Sequence, residues 1–312
     1  MTSLSRRAFS KLMAAATLAR QAHAAAMPMR TLGKIGFKTG ILGFGAQYIA
    51  GTEQANVDRI VAEGIEAGLN YVDTAPNYGN SEDLLGNALR GKRDQVFLAT
   101  KIEEPTREGA LTEVRNSLRR LQTDHLDCVL FHNIARTDRW PDFDKLLSKG
   151  GALEGLVEAR KQGMIRHIGL STHTDPARVL RALGTGEFDL VQAILNFVDH
   201  QIYHLKERLL PEARKRNLAI VAMKVLGGPT GDTTAAAVCR LAAEDRVASM
   251  RYSWGIPGVA VSIVGFRKPA ELREALDAAL AYKPLSTAER AALEQRGKAI
   301  AEKWGPSRGP VT

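Results

Sequence analysis

The sequence has 312 residues, of which 45% are hydrophobic and 25% charged, so collagen-like, coiled-coil and intrinsically disordered chains are excluded. The formal net charge of +9 falls by four to +5 without Arg6, Arg7, Lys11 and Arg20, and no basic block elsewhere indicates a nucleic-acid partner. The longest uncharged stretch has fifteen residues, fewer than the roughly 18–20 of a membrane-spanning helix, and two cysteines are too few for a disulfide framework.

Residues 1–26 have the pattern of an export signal. The paired Arg6 and Arg7 precede a weakly apolar run at 12–19, and Ala22-His23-Ala24 fits a cleavage site of small residues. This arrangement resembles a twin-arginine signal. It predicts that the twin-arginine export machinery recognises the precursor, that cleavage falls near Ala24, and that the mature protein is periplasmic.

A second interpretation of this segment is a leader that is not exported. Arg20 shortens the apolar run, and translation from Met27 or Met29 would give an intact cytoplasmic protein. In both cases the folded domain is predicted to span residues 27–304. Residues 305–312, which include Gly305, Pro306, Gly309 and Pro310, are predicted to form a flexible tail.

Beyond a hairpin predicted around residues 29–39, eight short apolar runs alternate with longer segments of helical spacing. The runs are residues 41–45, 69–73, 96–100, 126–131, 165–170, 190–193, 218–223 and 259–264. Their continuous rather than alternating hydrophobicity is typical of parallel strands covered on both faces. Helical spacing of apolar residues occurs at 55–67, 112–121, 153–162 and 269–281.

Eight strands with eight crossovers in about 250 residues predict an α/β fold, the (β/α)8 TIM barrel, with an N-terminal hairpin and a C-terminal helix. An open doubly wound sheet is the alternative, but Gly43-Phe44-Gly45-Ala46-Gln47 after the first strand lacks the G-x-G-x-x-G pattern. A barrel also places reactive groups at the carboxyl ends of its strands. Polar residues at those ends are Asp73, Lys101, His132, Ser171, Gln192 and Arg267.

Three motifs, at the second, third and fourth predicted strands, resemble those of a known protein family. Asn70-Tyr71-Val72-Asp73-Thr74-Ala75-Pro76-Asn77-Tyr78-Gly79, followed by Ser81-Glu82, resembles the signature of the aldo-keto reductases. Ala99-Thr100-Lys101 and Val129-Leu130-Phe131-His132-Asn133 are similar to two further motifs of that family. The resemblance extends from about residue 29 to residue 282. Residues 169–173 and 222–228 are most similar to a bacterial subgroup of the family. Members of that subgroup share a core with iron–sulfur relatives, whose cysteines this chain lacks.

The resemblance implies a catalytic tetrad of Asp73, Tyr78, Lys101 and His132. Hydride transfer to a carbonyl leaves negative charge on oxygen, which needs a proton donor within hydrogen-bond reach. A neighbouring cation stabilises a phenolate, so Lys101 is expected to make Tyr78 a better acid near neutral pH. Asp73 is expected to hold Lys101 in an ion pair, and His132 to donate a hydrogen bond to the substrate oxygen.

Each of these residues has an ordinary structural explanation when taken alone. Asp73 would suit a helix N-cap, Tyr78 a loop, Lys101 a solvated strand end and His132 a protein core. Their occurrence at three successive strand ends, in the order of one family, favours the catalytic interpretation.

The resemblance also implies a nicotinamide dinucleotide bound in an extended form across the barrel mouth. The residues expected to contact it are Gly45, Ala46, Asp73, Ser171, Thr172, Gln192, Met223, Lys224, Leu226, Gly227, Arg267, Lys268 and Glu271. Ser171 and Gln192 match positions that hydrogen-bond the nicotinamide carboxamide, and Lys224, Leu226 and Gly227 follow the phosphates. Thr172 replaces the family's usual Asn, and Met223 replaces an aromatic ring, so support of the nicotinamide is less oriented.

Arg267 and Lys268 open a helix, where two cations and the positive end of the helix dipole suit the 2′-phosphate of NADPH. NADPH is therefore expected rather than NADH. Glu271 matches a family position held by Gln or Glu, whereas Ala275 replaces an Asn, which weakens or moves the recognition of adenine.

These features predict an NADPH-dependent oxidoreductase that reduces the aldehyde or ketone carbonyl of a small-molecule substrate to an alcohol. An NADP(H)-binding redox sensor with little turnover is the alternative, and a lyase or isomerase using Lys101 covalently is disfavoured by the presence of Tyr78. His173 is expected to line the same pocket. His200 and His204 are four residues apart, but no third ligand of suitable spacing is evident, so no metal site is predicted.

Overall fold

The computed structural model describes residues 26–228 and 239–311, so the predicted export signal lies outside the described residues except for Ala26. The predicted hairpin is present as two antiparallel strands, β1 (Met29–Thr31) and β2 (Lys38–Gly40). Its turn is attached by a hydrogen bond from Lys34 N to Asn217 O (2.6 Å), just ahead of a barrel strand. The hairpin therefore covers the amino-terminal end of the barrel and leaves the opposite end open.

Eight parallel strands form a closed barrel in the spatial order β10-β3-β4-β5-β6-β7-β8-β9. The strands are β3 (Leu42–Gly45), β4 (Tyr71–Asp73), β5 (Phe97–Ile102), β6 (Leu126–Phe131), β7 (Ile165–Thr172), β8 (Leu190–Ile194), β9 (Ala219–Met223) and β10 (Val259–Val264). The predicted (β/α)8 barrel is confirmed. For β6 and β10 the predicted runs coincide with the strands residue for residue, because both strands are buried along their whole length.

Two polar residues expected just after strands lie inside them. β5 continues through Lys101 to Ile102, which pairs with Phe131, and β7 continues through Ser171 to Thr172. A polar side chain does not end a strand, because the ladder uses backbone groups alone. Here the side chains also find partners at the barrel mouth: Lys101 binds Asp73, and Ser171 donates to Phe131 O (3.1 Å).

The helices that connect and cover the strands are α1 (Gln54–Glu66), α2 (Ser81–Ala88), α3 (Arg107–Arg120), α4 (Phe143–Leu147), α5 (Ala152–Lys161), α6 (Pro176–Leu183), α7 (His200–Tyr203), α8 (Leu205–Arg208), α9 (Leu210–Lys215), α10 (Ala243–Trp254), α11 (Pro269–Leu280) and α12 (Thr287–Trp304). Helix α3 begins five residues before the predicted position, because Thr106 caps it by accepting a hydrogen bond from Gly109 N (3.1 Å). Among the described residues, no helix combines the length and apolar character needed to cross a bilayer.

Residues 305–311 follow the predicted C-terminal helix, α12, and return to the barrel mouth. The Tyr203 hydroxyl accepts a hydrogen bond from Arg308 N (2.8 Å) and donates one to Gly309 O (3.3 Å). Arg240 Nη1 donates to Ser307 Oγ (2.6 Å). The flexibility expected of this tail stays a prediction, but these contacts attach the segment to the open end of the barrel.

Candidate active site

The carboxyl ends of the strands surround three adjoining cavities. Gly45, Asp73, Gln192 and Gly228 line the first, the central cavity. Lys101, His132, Ser171 and His173 line the second, the wide cavity, and Arg246, Arg267 and Glu271 line the third, the outer cavity. Tyr48, Tyr78, Met223 and Lys224 border both the central and the wide cavity, and Leu226 and Gly265 border both the central and the outer cavity. The three cavities thus form one track across the barrel mouth.

A buried ion pair lies at the floor of this track. Lys101 Nζ donates hydrogen bonds to Asp73 Oδ2 (2.7 Å) and to Thr74 O (2.6 Å), and both charged side chains are almost completely shielded from solvent. Adjacent pairing of β4 and β5 brings the two residues together. Burial alone would lower the pKa of Lys101, but Asp73 and Tyr78 outweigh it and raise that pKa above its usual value. Lys101 is therefore a fixed cation at neutral pH.

Tyr78 lies directly over this cation. Lys101 Nζ is 4.9 Å from the centre of the Tyr78 ring, and the ammonium also interacts with the phenol. Burial raises the pKa of Tyr78 above its usual value, and Lys101 opposes that effect only in part. Lys101 thus acts on Tyr78 in the expected direction, but desolvation is the larger effect and keeps the pKa of Tyr78 above its usual value. Tyr78 carries its proton at neutral pH and is able to donate it.

His132 stands beside Tyr78, with the two rings edge to face at 5.6 Å between their centres. Burial is the main cause that lowers the pKa of His132 to about 3, and Lys101 lowers it further. The imidazole is therefore neutral at physiological pH and has one N–H to donate. Its Nδ1 is 3.0 Å from Glu103 Oε1.

Glu103 is a site residue that the motifs did not reveal. Its Oε1 accepts a hydrogen bond from Asn77 Nδ2 (2.7 Å), contacts Arg139, and faces the ring of His132. The available signal was its position one residue past the end of β5, where a barrel places site residues.

The two residues expected to hold a carboxamide differ in their freedom to do so. Gln192 donates through Nε2 to Met223 Sδ (3.7 Å), while its buried Oε1 has no hydrogen-bond partner. An unpaired buried acceptor is unfavourable, so Oε1 is open to a ligand donor at the central cavity. Ser171 lines the wide cavity but already donates to Phe131 O.

Thr172 is not brought into the site. It is fully buried, its hydroxyl donates to Thr174 O, and it lines none of the three cavities. The expectation that Thr172 contacts the cofactor in place of an Asn therefore finds no support in its position, because a local carbonyl takes its only donor.

The first and seventh barrel strands border the central cavity through their last residues and, for the seventh, the following loop. Gly45 lines the cavity, whereas Ala46 is buried behind it. Met223, the last residue of β9, lines the cavity together with Lys224 and Leu226 of the following loop, and Gly228 lies there rather than the expected Gly227. Gly227 packs against the Trp304 ring instead, so close that a Cβ would lie 2.5 Å from it.

The start of α11 only partly matches the expected 2′-phosphate site. Arg267 and Glu271 line the outer cavity, and Glu271 Oε2 accepts hydrogen bonds from Arg267 N (2.6 Å) and Lys268 N (3.4 Å). The Lys268 side chain is exposed and lies outside that cavity. The second cation in the outer cavity is Arg246 on α10, which no sequence pattern indicated.

Two further side chains complete the mouth. Tyr48, in the turn after β3, borders both the central and the wide cavity. Its ring packs against Gly265 so closely that a Cβ on this glycine would lie 2.5 Å from the ring. Its position just past the first strand was the signal that could have identified it. His173 lines the wide cavity as expected, and burial together with Lys224 and Arg308 lowers its pKa well below the usual value.

His200 and His204, four residues apart in the sequence, lie close to a carboxylate. Ligand atoms of His200, His204 and Glu207 lie within 4.8 Å of one another, so Glu207 is the third group that the spacing did not reveal. Lys206 Nζ, 3.4 Å from Glu207 Oε1, already supplies a positive charge there.

The residues of the track fit a nicotinamide dinucleotide. The central cavity has an open acceptor in Gln192, the outer cavity has two arginines, and glycines allow a close approach of the backbone between them. These features are what a carboxamide, a phosphate and an extended diphosphate require.

Comparison with known proteins agrees with this geometry. A model of the aldo/keto reductase family matches residues 38–297. The aldo-keto reductase YhdN of Bacillus subtilis is 31% identical over 216 residues, which are 62% of this chain and 60% of that protein. The match spans only 46–60% of the length of the first three curated relatives.

Two solved structures have the same fold. The aldo-keto reductase AKR11C1 of Bacillus halodurans superimposes with a TM-score of 0.71 at 22% identity, covering 88% of this chain and 97% of its own. An aldo-keto reductase of Klebsiella pneumoniae in complex with NADPH gives a TM-score of 0.66 at 23% identity, covering 86% and 95%. Because the family model takes in all eight barrel strands and the four positions of the expected tetrad, the chain belongs to the aldo/keto reductase family.

Proposed function

We propose that the protein reduces aldehyde or ketone carbonyls to alcohols, with NADPH as hydride donor and Tyr78 as general acid. The observation that supports this most is the buried Lys101 ammonium, fixed by Asp73 and placed beside the Tyr78 phenol at the edge of the wide cavity. A proton donor, a cation that stabilises its conjugate base and room for a substrate are thereby brought together.

The roles of the side chains follow from their surroundings. Gln192, Arg246 and Arg267 would hold a nicotinamide dinucleotide, which would supply a hydride for the carbonyl carbon. As charge develops on the carbonyl oxygen, Tyr78 gives its proton to that oxygen, and the alcohol is formed from one hydride and one proton. The Lys101 ammonium stabilises the phenolate that remains, and Asp73 keeps Lys101 charged. The neutral His132 orients the oxygen by a hydrogen bond without adding a second proton source.

NADPH is the proposed cofactor because Arg267 and Arg246 both face the outer cavity. A 2′-phosphate between two guanidinium groups gains charge-assisted hydrogen bonds that the ribose hydroxyl of NADH cannot make. The NADPH bound to the Klebsiella pneumoniae reductase is consistent with this choice.

Export of the folded protein to the periplasm is a further part of the proposal. Arg6 and Arg7 ahead of an apolar run support the twin-arginine route, because the export machinery recognises such a pair on the precursor. That route carries folded proteins and would transport a bound dinucleotide together with the barrel.

Replacing Tyr78 by Phe is expected to lower kcat for carbonyl reduction about 10²–10⁴-fold, the usual contribution of a general acid. The affinity for NADPH should stay nearly unchanged, because the phenol acts on the substrate oxygen. Steady-state kinetics and a fluorescence titration with NADPH measure the two quantities. Tyr71→Phe is the matched control, since the Tyr71 hydroxyl is buried in β4 without a hydrogen-bond partner. Full activity of the Tyr78→Phe variant would exclude this mechanism. If the wild type binds NADPH tightly but reduces no carbonyl compound, the redox-sensor alternative is favoured.

Arg267→Gln is expected to weaken NADPH binding by about tenfold or more while it leaves NADH binding nearly unchanged, because the lost hydrogen bonds are to a charged phosphate. Lys268→Gln is the control, since that side chain is exposed outside the outer cavity. Dissociation constants for both dinucleotides, measured by calorimetry, give the ratio. Equal losses for NADPH and NADH would mean that Arg267 has a structural role only.

Changing Arg6 and Arg7 together to Lys is expected to leave the precursor uncleaved in the cytoplasm, because the export machinery reads the arginine pair. Cell fractionation with N-terminal sequencing of the wild type and the variant measures this. A wild-type protein found only in the cytoplasm and starting at Met27 or Met29 would refute the export proposal and leave the reductase proposal intact.

A further inference from the structure

The chain between β8 and α9 forms two short helices, α7 and α8, that meet at His204. His204 ends the first helix and begins the second, with a φ of +51° in the left-handed region. Its N–H donates a hydrogen bond to His200 O (3.2 Å), and Glu207 N donates one to His204 O (3.1 Å). These bonds hold the three residues on successive turns of the backbone, and their side chains converge.

The distances between these side chains suit a shared metal ion. One ligand atom from each of His200, His204 and Glu207 lies within 4.8 Å of the other two, and His200 Nδ1 is 3.5 Å from Glu207 Oε2. Around a tetrahedral zinc ion with bonds of about 2.0–2.1 Å, neighbouring ligand atoms are about 3.4 Å apart. The side chains of His204 and Glu207 are exposed, so rotation of either one can close the remaining distance.

The His200 ring has a buried nitrogen whose hydrogen-bonding capacity is unused. Among the described residues Nδ1 has no hydrogen-bond partner, and the side chain is only 13% exposed. The ring meets that of His204 edge to face, with 5.8 Å between the two ring centres. A buried polar atom without a partner is unfavourable, and a neutral imidazole nitrogen is a good zinc ligand. An ion held between His200, His204 and Glu207 would satisfy this nitrogen.

Lys206 is the cation that opposes a metal ion at this place. Its Nζ lies 3.4 Å from Glu207 Oε1, but it also lies 3.4 Å from Glu294 Oε1 and donates a hydrogen bond to the Tyr252 hydroxyl (3.4 Å). An ion pair with an exposed carboxylate contributes little stability, so a divalent ion can replace the ammonium at Glu207. Lys206 then keeps Glu294 and Tyr252 as partners.

We propose that His200, His204 and Glu207 form a zinc-binding site, with two imidazole nitrogens and one carboxylate oxygen as protein ligands and a solvent water at the fourth position. Nitrogen and oxygen ligands in this number are a common donor set for Zn²⁺ with an open coordination position. Within the described part of the chain, this is the one group of at least three histidine, cysteine or carboxylate side chains placed to share an ion.

The site is separate from the proposed reductase chemistry. None of its three ligands lines the central, the wide or the outer cavity. A bound ion would join α7 to α8 on both sides of Tyr203, whose hydroxyl bonds to Arg308 N and Gly309 O. Because an ion that binds the folded protein stabilises it by mass action, Zn²⁺ is expected to raise the melting temperature.

The test compares the wild type with His204→Ala and Glu207→Gln, which change exposed side chains and leave the buried His200 in place. His125→Ala is the matched control, because His125 Nδ1 lies 2.7 Å from Asp124 Oδ1 in a pair that belongs to no group of three ligands among the described residues. The full-length protein carries no polyhistidine tag and is treated with EDTA and desalted. Titration calorimetry measures Zn²⁺ binding, scanning calorimetry measures melting, and the visible absorption of added Co²⁺ reports the coordination geometry.

We expect the wild type to bind one Zn²⁺ per chain, to melt at a higher temperature with Zn²⁺, and to give the absorption of four-coordinate Co²⁺. His204→Ala and Glu207→Gln should each weaken Zn²⁺ binding about tenfold or more, because a direct ligand is lost, and His125→Ala should behave as the wild type does. Absence of saturable Zn²⁺ binding by the wild type overturns the proposal, and so does wild-type affinity in either ligand variant. Should one ligand variant fail to fold, the other decides in the same way.

Discussion

The buried ion pair between Lys101 and Asp73 is the constraint around which the site is built. An ammonium without a partner at this depth would cost several kcal/mol, and removal of one partner from a buried pair typically destabilises a protein by about 3–5 kcal/mol. The barrel meets this requirement through topology, because β4 and β5 are hydrogen-bonded neighbours whose carboxyl ends point to the same mouth. Thr74 O provides a further acceptor, so Lys101 is held from two sides. Tyr78 thus lies over an ammonium that two hydrogen bonds hold in place and that is charged at neutral pH.

The charges of the side chains at the barrel mouth change from one end of the track to the other. Near Tyr78, His132 is neutral and its Nδ1 faces Glu103, so the Lys101 ammonium is the charged donor at this end of the track. Toward the central cavity Lys224 adds a positive charge, and in the outer cavity Arg246 and Arg267 lie together with the carboxylates of Glu271 and Glu274. A ligand with a neutral reactive end and anionic groups further along can meet cations at both places. An extended nicotinamide dinucleotide has that distribution of charge.

Those parts of the molecule that depend on local sequence could be predicted, and those that depend on distant contacts could not. Strands β6 and β10 were identified because burial on both faces requires a continuous apolar run. The four residues of the expected tetrad lie together at the mouth, as their positions in motifs at or shortly after strand ends predict. Arg246 and Arg308 were missed because a helix face and a short tail carry no such signal, and only the closed fold brings them to the mouth. Thr172 and Lys268 were assigned to the site by position in a motif. Their side chains are directed elsewhere by a neighbouring carbonyl and by solvent exposure.

The central claim is that Asp73 and Lys101 act as one unit on Tyr78. A double-mutant cycle tests it directly: kcat/KM for one aldehyde is measured for the wild type, Asp73→Asn, Lys101→Met and the double variant, each shown to be folded. Residues that work as a unit give strongly non-additive losses. We expect the double variant to be about as impaired as the more impaired single variant. Losses that multiply in the double variant would contradict the claim, because they would mean that the two side chains contribute independently.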